Sequence, residues 1–93
     1  MSYFLYIIHS VIKDQYYVGH TNDIEERIRK HNSKHKGFTG KENDWRLVYS
    51  ESYPTKETAY AREREIKKWK SRTMLERLIA KGSEHPDFNR EGH

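Results

Sequence analysis

Residues 3–9 constrain the fold of this chain more than any other segment. They read YFLYIIH, a run of aromatic and β-branched side chains that is apolar at both alternating sets of positions. Such a run is typical of a β-strand that is covered on both faces. Hydrophobic residues are only 33% of the 93 residues, so the core is small, and the 7 Tyr, 3 Phe and 2 Trp must supply much of it. We therefore expect one small domain built around a buried strand.

The rest of the chain carries two further strand patterns and three helix patterns. The expected order is β-β-α-β-α-α, an α+β domain in which helices pack on a small antiparallel sheet. The predicted strands span residues 3–9, 15–19 and 45–51, and the predicted helices run from 21–23 to about 32, over 57–70 and from 71 onward. Thr55 and Ser71 are the expected N-caps of the second and third helices. We expect a loop at residues 33–43, a domain over residues 1–82 and a loose tail at 83–93.

The chain is basic, and its excess of positive charge is concentrated in one segment. Lys and Arg number 18 against 14 Asp and Glu, and residues 55–81 hold 9 basic against 4 acidic side chains. A basic stripe of this kind suits a polyanion, although a solvated helix face is the simpler alternative. No apolar stretch is as long as a membrane span and no secretion signal is evident, so we expect a cytoplasmic protein with no membrane partner. Because the chain has no cysteine, a disulfide, a thiolate nucleophile and a cysteine-based zinc site are excluded.

Three ionisable residues lie on or beside the apolar stripes of the predicted helices. At about 100° per residue, Arg27 and His31 share the face of the two isoleucines of the first helix, and Glu63 borders the apolar stripe of the second. A guanidinium that faces the domain needs an anionic partner, unless Arg27 lies at the edge of the stripe and reaches water. For Glu63, the simpler alternative is an i, i+4 ion pair with Lys67.

Two tyrosines are candidates for the same site. Tyr6 lies in the middle of the first strand, and Tyr17 lies in the second strand just before Gly19, where the chain turns toward the helix that carries Arg27. Tyrosine is common in strands, so core packing with a satisfied hydroxyl is the ordinary interpretation of each. As a set, however, two hydroxyls, an arginine, a histidine and a carboxylate are expected to converge at one edge of the sheet.

The same residues resemble the motifs of the GIY-YIG nuclease superfamily, in particular a small stand-alone domain related to the N-terminal incision domain of the bacterial excision-repair nuclease. FLY at Phe4–Tyr6 resembles the family's G-I-Y, and YVG at Tyr17–Gly19 resembles its Y-I-G. In the segment YVGHTNDIEERIRKHN, Arg27 matches the family's catalytic arginine and His31 its common helix histidine. In ETAYAREREIKKWK, Glu63 matches the metal-binding glutamate. The first motif departs from the family at Phe4, which stands in place of glycine.

The resemblance implies a three-stranded antiparallel sheet flanked by helices, and a metal-dependent endonuclease that hydrolyses DNA phosphodiester bonds in DNA repair or recombination. It implies that Tyr6 is the general base and that Tyr17 helps to hold water or phosphate. Arg27 would grip the scissile phosphate, and His31 would orient or share that contact. Glu63 would hold one Mg²⁺ or Mn²⁺, with waters completing the coordination shell.

The partner that the resemblance implies is DNA, in a branched or damaged form, with a protein partner that supplies substrate selectivity. The expected nucleic-acid contacts are all basic: Arg27, Lys67, Lys68, Lys70 and Arg72. The alternative is a catalytically silent GIY-YIG-like module that binds nucleic acid or serves as an adaptor. Trp69 lies among these basic residues, where it could stack on a base or form part of an interface. Its helical position favours packing in the core.

Overall fold

The computed structural model describes residues 2–33 and 44–82 and has the expected order β-β-α-β-α-α. The elements are β1 Tyr3–Ser10, β2 Gln15–Thr21, α1 Ile24–Ser33, β3 Arg46–Tyr53, α2 Lys56–Trp69 and α3 Arg72–Lys81. Most of the predicted loop at 33–43 and all of the predicted tail at 83–93 lie outside the described residues. Ser33, where that loop was expected to begin, still belongs to α1.

The three strands form one antiparallel sheet, which confirms the predicted architecture, and their order in the sheet is β2-β1-β3. In the central strand β1, Leu5, Ile7 and Ile8 are fully buried, so the strand is covered on both faces as its sequence indicates. Tyr6 pairs with Gly19 of β2 on one side and with Ser50 of β3 on the other. Because paired residues share a face, this register determines which side chains of the three strands lie together.

One face of the sheet carries the hydrophobic core. Leu5 and Ile7 of β1 pack there with Val18, Tyr49 and Ile66, so α2 lies against this face. Further half-buried side chains pack on the same cluster: Tyr16, Val48, Tyr53, Trp69, Leu75, Leu78 and Ile79. Trp69 thus belongs to the core, as its helical position predicts.

The helix ends agree closely with the capping residues in the sequence. Thr55 accepts a hydrogen bond from the Thr58 amide at 3.2 Å, and Ser71 accepts one from the Met74 amide at 3.2 Å. At α1, the Asp23 carboxylate accepts from the Glu26 amide at 3.1 Å. The second helix was predicted to reach residue 70 but ends one residue earlier, at Trp69. Lys70 adopts a left-handed conformation (φ 48°) and terminates α2.

The third strand begins one residue later than predicted, at Arg46. The reason is a pair of hydrogen bonds, here called the Asn32 bracket, between the Asn32 side chain and the backbone of Trp45. The Trp45 amide donates to Asn32 Oδ1 at 2.8 Å, and the Trp45 carbonyl accepts from Asn32 Nδ2 at 3.1 Å. Both backbone groups of Trp45 are therefore used outside the sheet, and the bracket ties the end of α1 to the start of β3.

None of the described helices combines the length and the hydropathy that crossing a bilayer requires.

Candidate active site

The centre of the site is the pair formed by Tyr6 of β1 and Gly19 of β2. The Tyr6 ring is almost fully buried. A Cβ placed on Gly19 would lie 2.8 Å from the Tyr6 hydroxyl oxygen and 3.1 Å from Cε2 of Tyr17. Such approaches are too close for a side chain, so only glycine at the end of the YVG motif lets the two tyrosine rings lie against this point of β2.

Tyr17 and His31 extend this cluster toward α1. The ring centroids of Tyr6 and Tyr17 are 6.2 Å apart, and those of Tyr17 and His31 are 4.6 Å apart. His31 also lies 6.5 Å from the Tyr6 centroid in an edge-on orientation. The three rings predicted from the sequence are therefore in mutual contact, across two strands and one helix.

Arg27 lies one helical turn before His31, and its side chain is exposed. Together with Tyr17, Lys30, His31 and Ser33 it lines a hollow of about 270 Å³. Within residues 2–33 and 44–82, no carboxylate lies within ion-pair distance of Arg27. Of the two alternatives for this residue, the structure shows the one in which the guanidinium reaches water, so it is free to bind an anion in the hollow.

Glu63 approaches the same part of β2 from α2. The residue is buried, at 9% exposure, and both of its carboxylate oxygens have partners. Oε1 lies 2.6 Å from His20 Nδ1, and Oε2 accepts a hydrogen bond from Lys67 Nζ at 2.7 Å. Burial raises the pKa of Glu63, but the hydrogen bonds from Lys67 and His20 outweigh it and hold the pKa below its usual range. The carboxyl group is therefore a charged acceptor at neutral pH.

Lys67 connects this carboxylate to the tyrosine cluster. Its ammonium nitrogen, bonded to Glu63, lies 5.7 Å from the centroid of the Tyr17 ring. The i, i+4 pair that the sequence offers as the simple role of Glu63 is thus present, and it lies next to Tyr17 rather than on a remote surface. All five residues predicted for the site surround the same edge strand.

The pKa of the Tyr6 hydroxyl is raised well above its ordinary value. Burial is the largest cause, and the negative charges of ionised Tyr17 and Glu63 add to it, while the positive charge of Arg27 opposes them. Tyr6 is therefore a neutral phenol at physiological pH.

His20 is a member of the site that the sequence analysis missed. It follows the YVG motif directly and pairs with Leu5, which puts it on the sheet face that α2 covers, next to Glu63. Its ring centroid also lies 5.2 Å from that of Tyr60. The available signal was strand alternation, since a polar residue two positions after buried Val18 must face the same helix.

The predicted basic contacts differ in how free their charges are. Lys67 is bonded to Glu63, and Arg72 is bonded to Asp14 at 2.7 Å and to Glu76 at 2.9 Å. Lys68 and Lys70 are exposed and form no ion pair with the described carboxylates. Lys67, Lys70 and Arg72 line a groove of about 540 Å³ that runs along β2.

The donor set fits a hard divalent cation that keeps most of its water. Among the residues that the structure describes, no group of three His, Asp or Glu side chains is arranged to hold a metal. Glu63 is a single charged carboxylate in a polar setting, and Mg²⁺ is commonly bound through one or two carboxylates with several waters retained. A metal at Glu63 would compete with His20 and Lys67 for the two carboxylate oxygens.

Comparisons with known proteins agree with the motifs. The GIY-YIG catalytic domain family matches residues 2–77. The UPF0213 protein BH0048 of Halalkalibacterium halodurans is 37% identical over 82 residues, covering 86% of this chain and 84% of the relative. A UPF0213 protein of Staphylococcus saprophyticus is 40% identical over 67 residues, covering 71% and 80% of the two chains.

A solved structure supports the fold. The solution NMR structure of the UPF0213 protein BH0048 from Bacillus halodurans superposes with a TM-score of 0.55 at 34% identity, covering 86% of this chain and 84% of that one. GIY-YIG domains are typically nucleases, which act on nucleic acid and generally use a divalent metal. From the match to residues 2–77 and the convergence of the motif side chains, we conclude that the chain belongs to the GIY-YIG catalytic domain family.

Proposed function

We propose that this protein is a divalent-metal-dependent endonuclease that hydrolyses DNA phosphodiester bonds at the hollow beside Tyr17. The observation that carries the proposal is the convergence of an exposed arginine, two tyrosine hydroxyls, a histidine and a charged glutamate around one edge strand. Phosphodiester hydrolysis needs a held water, neutralisation of the phosphate charge and help for the leaving oxygen. This set of side chains offers groups for each of these tasks.

Arg27 binds the scissile phosphate in this proposal. Its guanidinium is exposed at the hollow and has a planar fork of donors that matches two phosphate oxygens. His31 lies in contact with Tyr17 at the same hollow and orients the phosphate or shares its charge.

In this proposal Tyr6 accepts the proton of the attacking water. Because its pKa is raised, a free phenolate is not available at neutral pH. The neutral hydroxyl oxygen accepts a hydrogen bond from the water and takes its proton only as the new P–O bond forms, while the phenolic proton passes to a phosphate oxygen. Tyr17, whose ring lies 6.2 Å away, helps to hold the water or the phosphate.

Glu63 would hold the metal, which when bound would supply positive charge to the phosphate and to the leaving oxygen. His20 orients the carboxylate through Oε1 and Lys67 is bonded to Oε2, so a metal would compete with these two partners for the carboxylate. The Lys67 ammonium lies beside Tyr17, where its positive charge would face the DNA in this proposal.

A module that binds nucleic acid without cutting it is the second candidate. The observation that favours it is the full occupation of Glu63, whose two oxygens already have His20 and Lys67 as partners. In such a module the carboxylate is structural, and a metal has no role.

Cleavage of plasmid and branched DNA by Arg27→Ala and Glu63→Gln tests the proposal. Each variant should lose about 100-fold or more in rate with Mg²⁺ or Mn²⁺, because each removes a group that faces the developing charge. Arg29→Ala and Glu65→Gln are matched controls on the exposed sides of the same helices and should cut normally. If both site variants cut as fast as the wild type, the assignment is wrong. If the wild type binds DNA with no metal-dependent cutting, and Glu63→Gln binds equally, the binding module replaces it.

A further inference from the structure

Tyr60 is a large ring on α2 that the core does not use. It is 46% exposed, although it lies one helical turn before buried Glu63. A single exposed aromatic residue is unremarkable in itself, so its surroundings decide what it can do. The Arg64 guanidinium carbon lies 5.7 Å from the Tyr60 centroid, and the His20 ring lies 5.2 Å away. Tyr60 is thus a ring with a cation at one side and a site histidine at another.

A hollow of about 440 Å³ lies at this ring, and its lining is balanced in charge. The lining residues are His20, Lys56, Glu57 and Tyr60. One cation and one anion leave the hollow without the positive excess that a phosphate requires. A flat, uncharged heteroaromatic group suits it better, because Tyr60 offers a ring to stack on and Glu57 offers a carboxylate that accepts from an exocyclic amine.

The position of the hollow relates its occupant to the scissile bond. Tyr60 precedes Glu63 by three residues on α2, a rise of roughly 4.5 Å along the helix axis. His20 contacts both residues, by its ring toward Tyr60 and by Nδ1 toward Glu63. A group stacked on Tyr60 would therefore lie within about one helical turn of the Glu63 carboxylate.

We propose that Tyr60, supported by Arg64, is a stacking site for an unpaired nucleobase adjacent to the scissile phosphate, so that the preferred substrate is DNA whose strand is single or splayed at the cut. This inference rests on the proposed function and narrows its substrate class. A base inside a duplex has both faces covered by its neighbours, whereas an unpaired base presents a face to an exposed ring and a guanidinium.

Binding measured with EDTA present, which prevents cutting, tests the proposal. A fluorescein-labelled single strand and the duplex of the same sequence are titrated with the wild type, Tyr60→Leu and Tyr60→Phe. Tyr60→Leu keeps apolar volume but removes the ring face, and should weaken single-strand binding by about 5-fold or more. Tyr60→Phe keeps the ring and should bind nearly as the wild type does. Neither change should affect duplex binding.

A spectroscopic readout separates stacking from a general structural role. On titration with the single strand, the Tyr60 ring protons should shift upfield in the wild type, while the amide spectrum of Tyr60→Leu shows an unchanged fold. Equal single-strand affinity of Tyr60→Leu and the wild type overturns the proposal. An equal loss for single strand and duplex overturns it as well, since the ring would then serve both forms.

The failure of this inference is distinguishable from failure of the proposed function. If Arg27→Ala abolishes cutting while Tyr60→Leu keeps full single-strand binding, the nuclease assignment stands and the stacking site is wrong. If the wild type cuts neither form of DNA when Mg²⁺ or Mn²⁺ is present, the nuclease assignment is wrong, and the proposal that Tyr60 stacks on a base beside a scissile phosphate fails with it.

Discussion

Gly19 shows how a single residue determines the geometry of the candidate site. Its hydrogen atom stands where a Cβ would meet the Tyr6 hydroxyl at 2.8 Å, so the position of both tyrosines depends on the missing side chain. The glycine of the YVG motif is thus explained by the close approach of two rings. Gly19 does not have a φ value in the left-handed region; among the described glycines, Gly82 has such a value.

We expect Gly19→Ala to lower the cleavage rate more than it lowers stability. The added methyl group should destabilise the fold by roughly 1–3 kcal/mol, as overpacking does, and displace the Tyr6 ring. Gly82→Ala is the matched control. It introduces strain at φ 95° at the end of α3, away from the tyrosines, and should leave the rate unchanged. Urea denaturation and cleavage assays measure both quantities. An active Gly19→Ala variant would contradict this account of the motif.

Glu51 is the second residue whose setting carries a prediction. Its carboxylate is buried and accepts hydrogen bonds from the hydroxyls of Tyr49 and Tyr53 and from Arg62, whose Nε and Nη2 lie at 2.9 and 3.0 Å. Burial raises the pKa of Glu51, but the Arg62 and tyrosine hydrogen bonds outweigh it and lower the pKa. A lowered pKa contributes stability above the unfolded value of about 4.3, and this stability is lost as the pH falls through the folded pKa.

We expect Arg62→Met to destabilise the protein by about 3–5 kcal/mol at neutral pH, because it leaves a buried carboxylate without its cation. This destabilisation should become smaller at acid pH. Glu51 is then protonated and neutral in the variant, so it no longer leaves a buried charge without a cation. Urea denaturation near pH 7 and well below pH about 4.3 tests both statements. A loss of the same size at both pH values would show that the charge of Glu51 is not the cause. The exposed Arg64→Met change serves as the control.

At the scale of elements, α1 is the helix that depends least on the core. None of its residues is in the core cluster or packed against it, whereas α3 packs Leu75, Leu78 and Ile79 there; yet α1 carries Arg27 and His31. It is held by the Asp23 cap at its start and by the Asn32 bracket on Trp45 at its end. The His31 ring lies 5.9 Å from that of Trp45, so the same contact that ends the helix also positions the site histidine.

Asn32→Ala should therefore loosen α1 and misplace His31 without unfolding the sheet. Two hydrogen bonds of roughly 1 kcal/mol each are removed. Hydrogen exchange should become faster in α1 while α2 keeps its protection, and cleavage should fall. Thr55→Ala removes a cap of similar strength from α2 and should produce the opposite pattern of exchange. Unchanged exchange in α1 would mean that the bracket is not what holds this helix.

At the scale of the whole molecule, the chain has a net charge of +4, but its basic side chains are not equally accessible to an anionic partner. Lys67 and Arg72 are engaged by carboxylates of this chain, whereas Lys68 and Lys70 are exposed without an ion pair to the described carboxylates. Only charges that are free to release counterions from DNA contribute fully to affinity. We therefore expect the basic segment to bind DNA mainly through Lys68 and Lys70.

We expect Lys70→Gln to reduce the salt dependence of DNA binding more than Arg72→Gln does. Loss of one phosphate contact should lower the slope of log affinity against log salt by about 0.9 for duplex DNA. Arg72→Gln should change the slope less, because Arg72 is bonded to Asp14 and Glu76. Titrations over a range of salt concentrations measure the slopes. Equal reductions by the two variants would show that DNA draws Arg72 out of its ion pairs.

The sequence by itself determined the elements and the candidate residues. The doubly apolar run at 3–9 predicted a strand covered on both faces, and Thr55 and Ser71 predicted the starts of α2 and α3, where each side chain accepts a hydrogen bond from an amide three residues away. The motifs and their spacing indicated that Tyr6, Tyr17, Arg27, His31 and Glu63 are candidates for one site. These features depend on near neighbours, since strand alternation and helical period are local properties of the chain.

The tertiary structure alone decided which side chains meet. His20 and Glu63 are 43 positions apart, and Tyr60 reaches His20 only because α2 packs across β2. The order β2-β1-β3, the pairing of Tyr6 with Gly19 and the position of Lys67 beside Tyr17 likewise arise from packing between distant elements. Many arrangements satisfy the local patterns equally well. The choice among them is made by burial of the whole core and by the electrostatic partners that burial requires.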